Sequence, residues 1–250
     1  MKVMTSSEVV GFYQVLDNMH KKGLVYFFLT LLIIALWQCS ETKEIAPDSL
    51  GTKYFPLKTG MYQIYQVNGV RYNSYTDSIV FSYLLKESVV DSFQNLESGI
   101  SYKIQQEKKY NENDSWVIDS IWTARKYDQY AVSIENNIPI VSLTFPVKEN
   151  KTWDGNKLND LGEDEFEMID VDQPYSSNSF EYEKTVTVIQ EELPDIYVQS
   201  ILKKEIFAEG QGLIYKENST LNYRQGDDYS NEVIETGIKY IKQLIEYGEK

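Results

Sequence analysis

Along most of the chain, apolar and polar residues alternate in short runs broken by Asn, Asp, Gly and Pro. One long apolar block near the start stands apart from that pattern. Runs rich in Val, Ile, Thr, Tyr and Phe between turn-forming residues are the signature of half-buried strands. The pattern predicts strands over 60–67, 78–85, 100–106, 116–126, 129–135 and 138–145. It predicts more over 166–171, 184–190, 200–208, 212–216 and 220–224. Ile100-Ser101-Tyr102-Lys103-Ile104 shows the alternation expected of one wet and one buried face. Between Phe166 and Ile169 the alternation changes phase, as a bulge would make it do. Asn68-Gly69, following the first strand, is expected to form a two-residue hairpin turn, because both turn positions favour positive φ. Residues 238–247 fit a helix through Ile238, Ile241 and Ile245, or a strand through Tyr240 and Ile241; a strand is preferred.

Long amphipathic helical stretches are missing, and no linker-like composition interrupts residues 52–250. Closely spaced strands without intervening helices predict one all-β, antiparallel domain over 52–250. Either a curved open barrel or a two-sheet sandwich satisfies the pattern, with little helix outside the apolar block.

That block has the layout of an export signal. Met19-His20-Lys21-Lys22 is a short basic stretch, and residues 24–37 are almost wholly apolar. A spanning helix needs roughly 20 apolar residues, so an uncleaved membrane span is the weaker reading. The sole cysteine, Cys39, stands where the apolar run ends. The segment Leu36-Trp37-Gln38-Cys39 resembles a bacterial lipobox, which implies a lipoprotein signal over 19–38 and lipid attachment at Cys39. A free cysteine in an ordinary signal is the alternative. Residues 1–18 read as an upstream extension, with translation starting at Met19. Residues 39–51, polar and containing Pro47, read as a flexible tether.

Composition then removes whole classes of chemistry. Without residues 1–38, which hold three lysines and two acids, 21 basic and 36 acidic residues remain, a charge of −15. Such a surface repels phosphate backbones, so no nucleic-acid partner is expected. The only histidine, His20, lies in the signal segment, leaving the exported chain no imidazole for a triad or a metal. A lipidated Cys39 removes thiol nucleophiles, thiolate zinc sites and disulfides as well. No phosphate-cradling glycine loop is present and no cofactor is expected. Carboxylates remain, and two suitably spaced ones could cleave a glycosidic bond, but nothing singles out a pair among 36.

Three site candidates remain. Asp154, Asn156, Asp160, Glu163 and Asp164 form an oxygen-rich loop of the kind that holds Ca²⁺, although a solvated acidic loop explains it more simply. Trp116 and Trp122, six residues apart, would share a face of a regular strand and could stack on sugar rings; filling the core is the simpler role. Asp48-Ser49-Leu50, Asp77-Ser78-Ile79 and Asp119-Ser120-Ile121 resemble the Bacteroidota O-glycosylation pattern, which marks Ser49, Ser78 and Ser120.

Several stretches resemble a family of uncharacterised exported lipoproteins of Bacteroidota. They are Tyr54-Phe55-Pro56-Leu57 with Gly60 and Tyr62, the run 85–92, Phe145-Pro146, the run 151–156, the run 210–217, and the end from Gly237 to Gly248. The resemblance implies a cell-envelope lipoprotein of the outer membrane, with Glu41 and Glu44 compatible with surface display. It supplies no activity. The expectation is therefore a lipid-anchored, non-enzymatic binding or structural β domain, held to the membrane through Cys39. Alternatives are a carrier of a lipophilic ligand in a curved sheet, and a carbohydrate-binding or glycan-cleaving surface lipoprotein. The protein or glycan partner is left open.

Overall fold

The structure is a computed structural model that describes residues 50–95, 99–177, 180–196, 198–224 and 233–250. The expected signal, Cys39, Ser49 and most of the tether lie outside the described residues. Leu50, at the end of the expected tether, packs on the core, and its carbonyl accepts the Val147 N–H at 3.0 Å.

The fold is all-β. Its strands are β1 (Met61–Ser74), β2 (Asp77–Gln94), β3 (Ile100–Lys109), β4 (Val117–Lys126), β5 (Tyr130–Glu135) and β6 (Ile138–Thr144). They continue with β7 (Lys151–Asp154), β8 (Glu165–Ser177), β9 (Phe180–Ile196), β10 (Gln199–Ala208), β11 (Gly212–Tyr223) and β12 (Ile234–Glu249). The segment 238–247 is indeed strand. Among the described residues the helical content is short 3-10 turn, Thr52–Tyr54 with its neighbours, and no helix is long and apolar enough to cross a membrane.

The 12 strands of the described residues belong to one sheet, ordered β6-β5-β4-β3-β2-β1-β12-β11-β10-β9-β8-β7. Two meanders, β1–β6 and β7–β12, are therefore joined through the β1–β12 pair, and every pairing is antiparallel. Register shifts near Tyr65, Val89, Gln106 and Phe207 bend the sheet, since each bulge adds local twist. Coiling brings the far edges β6 and β7 together in a seam. There Val141 N–H bonds the Gly155 carbonyl at 2.9 Å, and Trp153 Nε1 donates to the Val141 carbonyl at 2.7 Å. The curved, nearly closed barrel is thus the form adopted, and its closure hides edges that would otherwise invite pairing.

Two sequence expectations shift. Asn68-Gly69 is no turn: both residues sit inside β1, and the chain reverses at Tyr75-Thr76 instead. Gly69 is there for space. A Cβ on it would lie 2.5 Å from Phe81 Cζ and 2.6 Å from the Lys239 carbonyl oxygen, so the missing side chain lets the Phe81 ring lie across β1. The phase change in β8 is real but falls just downstream, between Ile169 and Gln173, where Asp170 and Asp172 take φ of 53° and 58°.

Apolar side chains fill the interior in two clusters. One gathers Ile104, Leu143, Phe145, Phe166, Val188 and Phe207; the other gathers Tyr65, Leu85, Ile214 and Leu244. Each such burial contributes about 1.5–3 kcal/mol. The segment carrying Tyr54 and Phe55 crosses one end. Tyr54 Oη donates to Asp172 at 2.6 Å, and Lys126 Nζ donates to the Thr52 and Phe55 carbonyls. The strands and both clusters lie within the compact unit Ala46–Lys250, so this unit carries its own core and all its strand partners.

Candidate functional site

Inside the sheet lies a cavity of about 410 Å³. Its apolar walls come from opposite halves of the barrel: Phe55 from the end segment, Ile104 on β3, Trp122 on β4, Phe166 on β8 and Phe207 on β10. The side chains carried by strands point inward because they stand in phase with their strands' buried positions. Trp122 Nε1 is buried there without a hydrogen-bond acceptor among the described residues.

Charged residues cross the same interior. Glu87 follows Leu85 on the inner face of β2, and Lys242 precedes Leu244 on that of β12. They meet over β1, with Lys242 Nζ 2.5 Å from Glu87 Oε1 and 4.1 Å from the centre of the Tyr65 ring. Directly beside Lys242, its register partner Lys216 on β11 bonds Glu205 on β10 at 2.7 Å. Reading across the strands, the charges run minus, plus, plus, minus, so the adjacent lysines are each flanked by a carboxylate. Burial disfavours the charge on Lys216, but Glu205, joined by Tyr240 and Glu135, more than offsets this and raises its pKa. Gln106 donates to Glu87 at 2.7 Å, and Ser120 to Gln106 at 2.5 Å, extending the network to β4. Tyr65 is fully buried beneath it. Burial, then Glu87 and Glu205, push its pKa well above the ordinary tyrosine value, while its hydroxyl donates to the Leu213 carbonyl at 3.0 Å.

Toward the seam the lining changes character. Glu135, Ile138, Leu161 and Asp164 border the cavity, with Ile138 and Leu161 exposed. Burial raises the Asp164 pKa, Glu191 adds to this, and Lys203 partly offsets it.

The sequence candidates fall in separate places. Trp122 lies in the cavity wall, packed on the core, whereas Trp116 precedes β4 and sits outside, over Lys86 and Lys109 at 5.6 and 4.9 Å. A register shift between Ser120 and Ile118 breaks the regular alternation that would have put the two on one face. At the oxygen-rich loop, as elsewhere among the described residues, no group of three or more His, Cys, Asp or Glu could hold a metal ion. Asp154 instead accepts the N–H groups of Asn156 and Asp164 at 2.9 and 3.0 Å, clasping the loop beside the seam. Ser78 is exposed on β2, while the half-buried Ser120 hydroxyl is committed to Gln106.

The interior charges Glu87, Lys216, Glu205 and Lys242 were not singled out from sequence. The signal was their phase: Leu85-x-Glu87, Ile214-x-Lys216, Glu205-x-Phe207 and Lys242-x-Leu244 put each charge in step with a buried apolar neighbour.

No family model matches the chain, and no curated protein matches it. Among solved structures it is similar to a Bacteroides fragilis protein designated as exported and as having a YmcC-like fold. The two share 11% identity and a TM-score of 0.42, over 78% of this chain and 98% of that one.

Proposed function

We propose that this is an exported envelope protein, lipid-anchored at Cys39, whose β domain binds a small amphipathic molecule inside the barrel without catalysing a reaction. The observation that carries the binding half is the cavity. A volume of about 410 Å³ with aromatic walls and a few placed polar groups matches the usual form of small-molecule sites. A solidly packed interior would have excluded a carrier; this interior has room. The pairing of Glu87 and Glu205 with lysines favours binding over catalysis, since both serve as fixed counter-charges.

The anchoring half rests on the basic stretch, the apolar run and the cysteine that ends it. The two halves are tested separately. Cys39→Ala is expected to abolish palmitate labelling and to move the protein from the membrane to the soluble fraction; unchanged labelling would refute the anchor. An environment-sensitive lipophilic dye is expected to bind the unit Ala46–Lys250 saturably with one-to-one stoichiometry. Dye binding that never saturates would refute the interior site.

A further inference from the structure

We propose that the cavity takes an amphiphile with a cationic head, its apolar body between Phe55, Trp122 and Phe207 and its ammonium at the rim beside Glu135 and Asp164. This rests on the binding function above and adds the chemical class of the ligand.

The argument starts from which charges are already used. Each lysine of the lining holds a carboxylate: Lys203 with Glu191 at 2.6 Å, Lys216 with Glu205 at 2.7 Å and Lys242 with Glu87 at 2.5 Å. An anionic head seeking one of these lysines would have to displace its partner. For Glu87 or Glu205 that leaves a buried carboxylate without its counter-charge, which costs more than the new contact returns. The interior therefore rejects carboxylate and phosphate heads, although it contains three lysines.

The rim has the opposite imbalance. Glu135 and Asp164 line the cavity, and neither is in an ion pair among the described residues. Glu135 lies within electrostatic reach of Lys216, and Asp164 of Lys203, but both lysines are bonded elsewhere. The raised pKa of Asp164 marks a carboxylate that burial has partly stripped of water, and a nearby cation would restore what it lost. Beside these acids stand the exposed side chains of Ile138 and Leu161, 37% and 65% accessible. They offer an apolar chain contact on the same solvent-facing lining that carries the two carboxylates. The charge of −15 on the exported chain draws cations toward that rim from a distance.

The experiment displaces a lipophilic fluorescent dye from the unit Ala46–Lys250 with decylamine, decanol or decanoate at physiological salt, where long-range attraction is screened. Decylamine is expected to bind several-fold more tightly than decanol, and decanoate more weakly than either. The double variant Glu135→Gln, Asp164→Asn is expected to bring decylamine down to decanol's affinity while leaving decanol unchanged. Decanol or decanoate binding as tightly as decylamine would overturn the proposal. So would a decylamine preference that survives in the double variant, since net charge alone would then explain it. Failure of all three to displace a saturably bound dye would overturn the interior site itself, and this inference with it.

Discussion

Lys242 on β12 reaches over the intervening strand β1 to place its ammonium 2.5 Å from Glu87 on β2. The partners are 155 residues apart in sequence, and the ring they cross belongs to the fully buried Tyr65. The pair therefore ties the start of the first meander to the last strand of the second, at the join of the two halves.

Breaking this pair on one side is expected to be costly and breaking it on both sides cheap. Lys242→Met leaves Glu87 buried and charged, with an expected loss of about 3–5 kcal/mol in urea unfolding. Glu87→Gln combined with Lys242→Met is expected to recover most of it. A double variant as unstable as the single one would contradict this.

Alkaline pH is expected to unfold the domain as its tyrosines ionise. Burial raises Tyr65 well above the ordinary value of 10, and raises Tyr182 to about 12. A pKa raised on folding contributes stability that is complete below the unfolded value and lost as pH climbs through the folded one. Stability should thus fall from pH 10 toward 12 for Tyr182, with Tyr65 resisting further still. Tyrosinate absorbance should then appear together with loss of the circular dichroism signal. Full ionisation near pH 10 with the sheet intact would contradict this. Tyr182→Phe, which removes a hydroxyl without a partner among the described residues, is expected to soften the alkaline loss at little neutral cost.

Two tryptophans should respond differently to the same change. Trp153→Phe removes the indole N–H that holds the Val141 carbonyl at the seam, and about 1 kcal/mol is expected to be lost, with faster amide exchange at Val141. Trp122→Phe removes an indole N–H that bonds nothing among the described residues, so its cost should be smaller. Equal costs would show that packing, not the hydrogen bond, closes the seam.

Alternation and turn residues made the strands legible, because one buried face imposes a period of two on every long strand. They misplaced Asn68-Gly69 for a physical reason: glycine serves close approach as readily as positive φ, and only Phe81 packed over Gly69 tells the two apart. The Trp116–Trp122 spacing misled because one extra residue near Asp119 resets the faces. The cavity was not legible at all. It depends on how β3, β4, β8 and β10 meet across the barrel, and on Glu87 and Lys242 finding each other from opposite ends of the chain.

The Gly69 account makes its own prediction. Gly69→Ala is expected to cost about 1–3 kcal/mol, because the methyl group meets Phe81 and the Lys239 backbone within 2.6 Å. Gly162→Ala has open space and pays only for its φ of +89°, about 1 kcal/mol. Urea unfolding of both compares crowding with backbone strain, and a milder loss at Gly69 would contradict the packing.

The most direct test of the interior site is a dye titration of three proteins: the unit Ala46–Lys250 unchanged, with Ala124→Leu, and with Trp116→Ala. Ala124 is wholly buried and lines the cavity, whereas Trp116 lies outside it. Saturable binding is expected for the unchanged protein and for Trp116→Ala. It should be lost in Ala124→Leu, with that variant's circular dichroism unchanged. Undiminished binding by a folded Ala124→Leu protein would contradict the account.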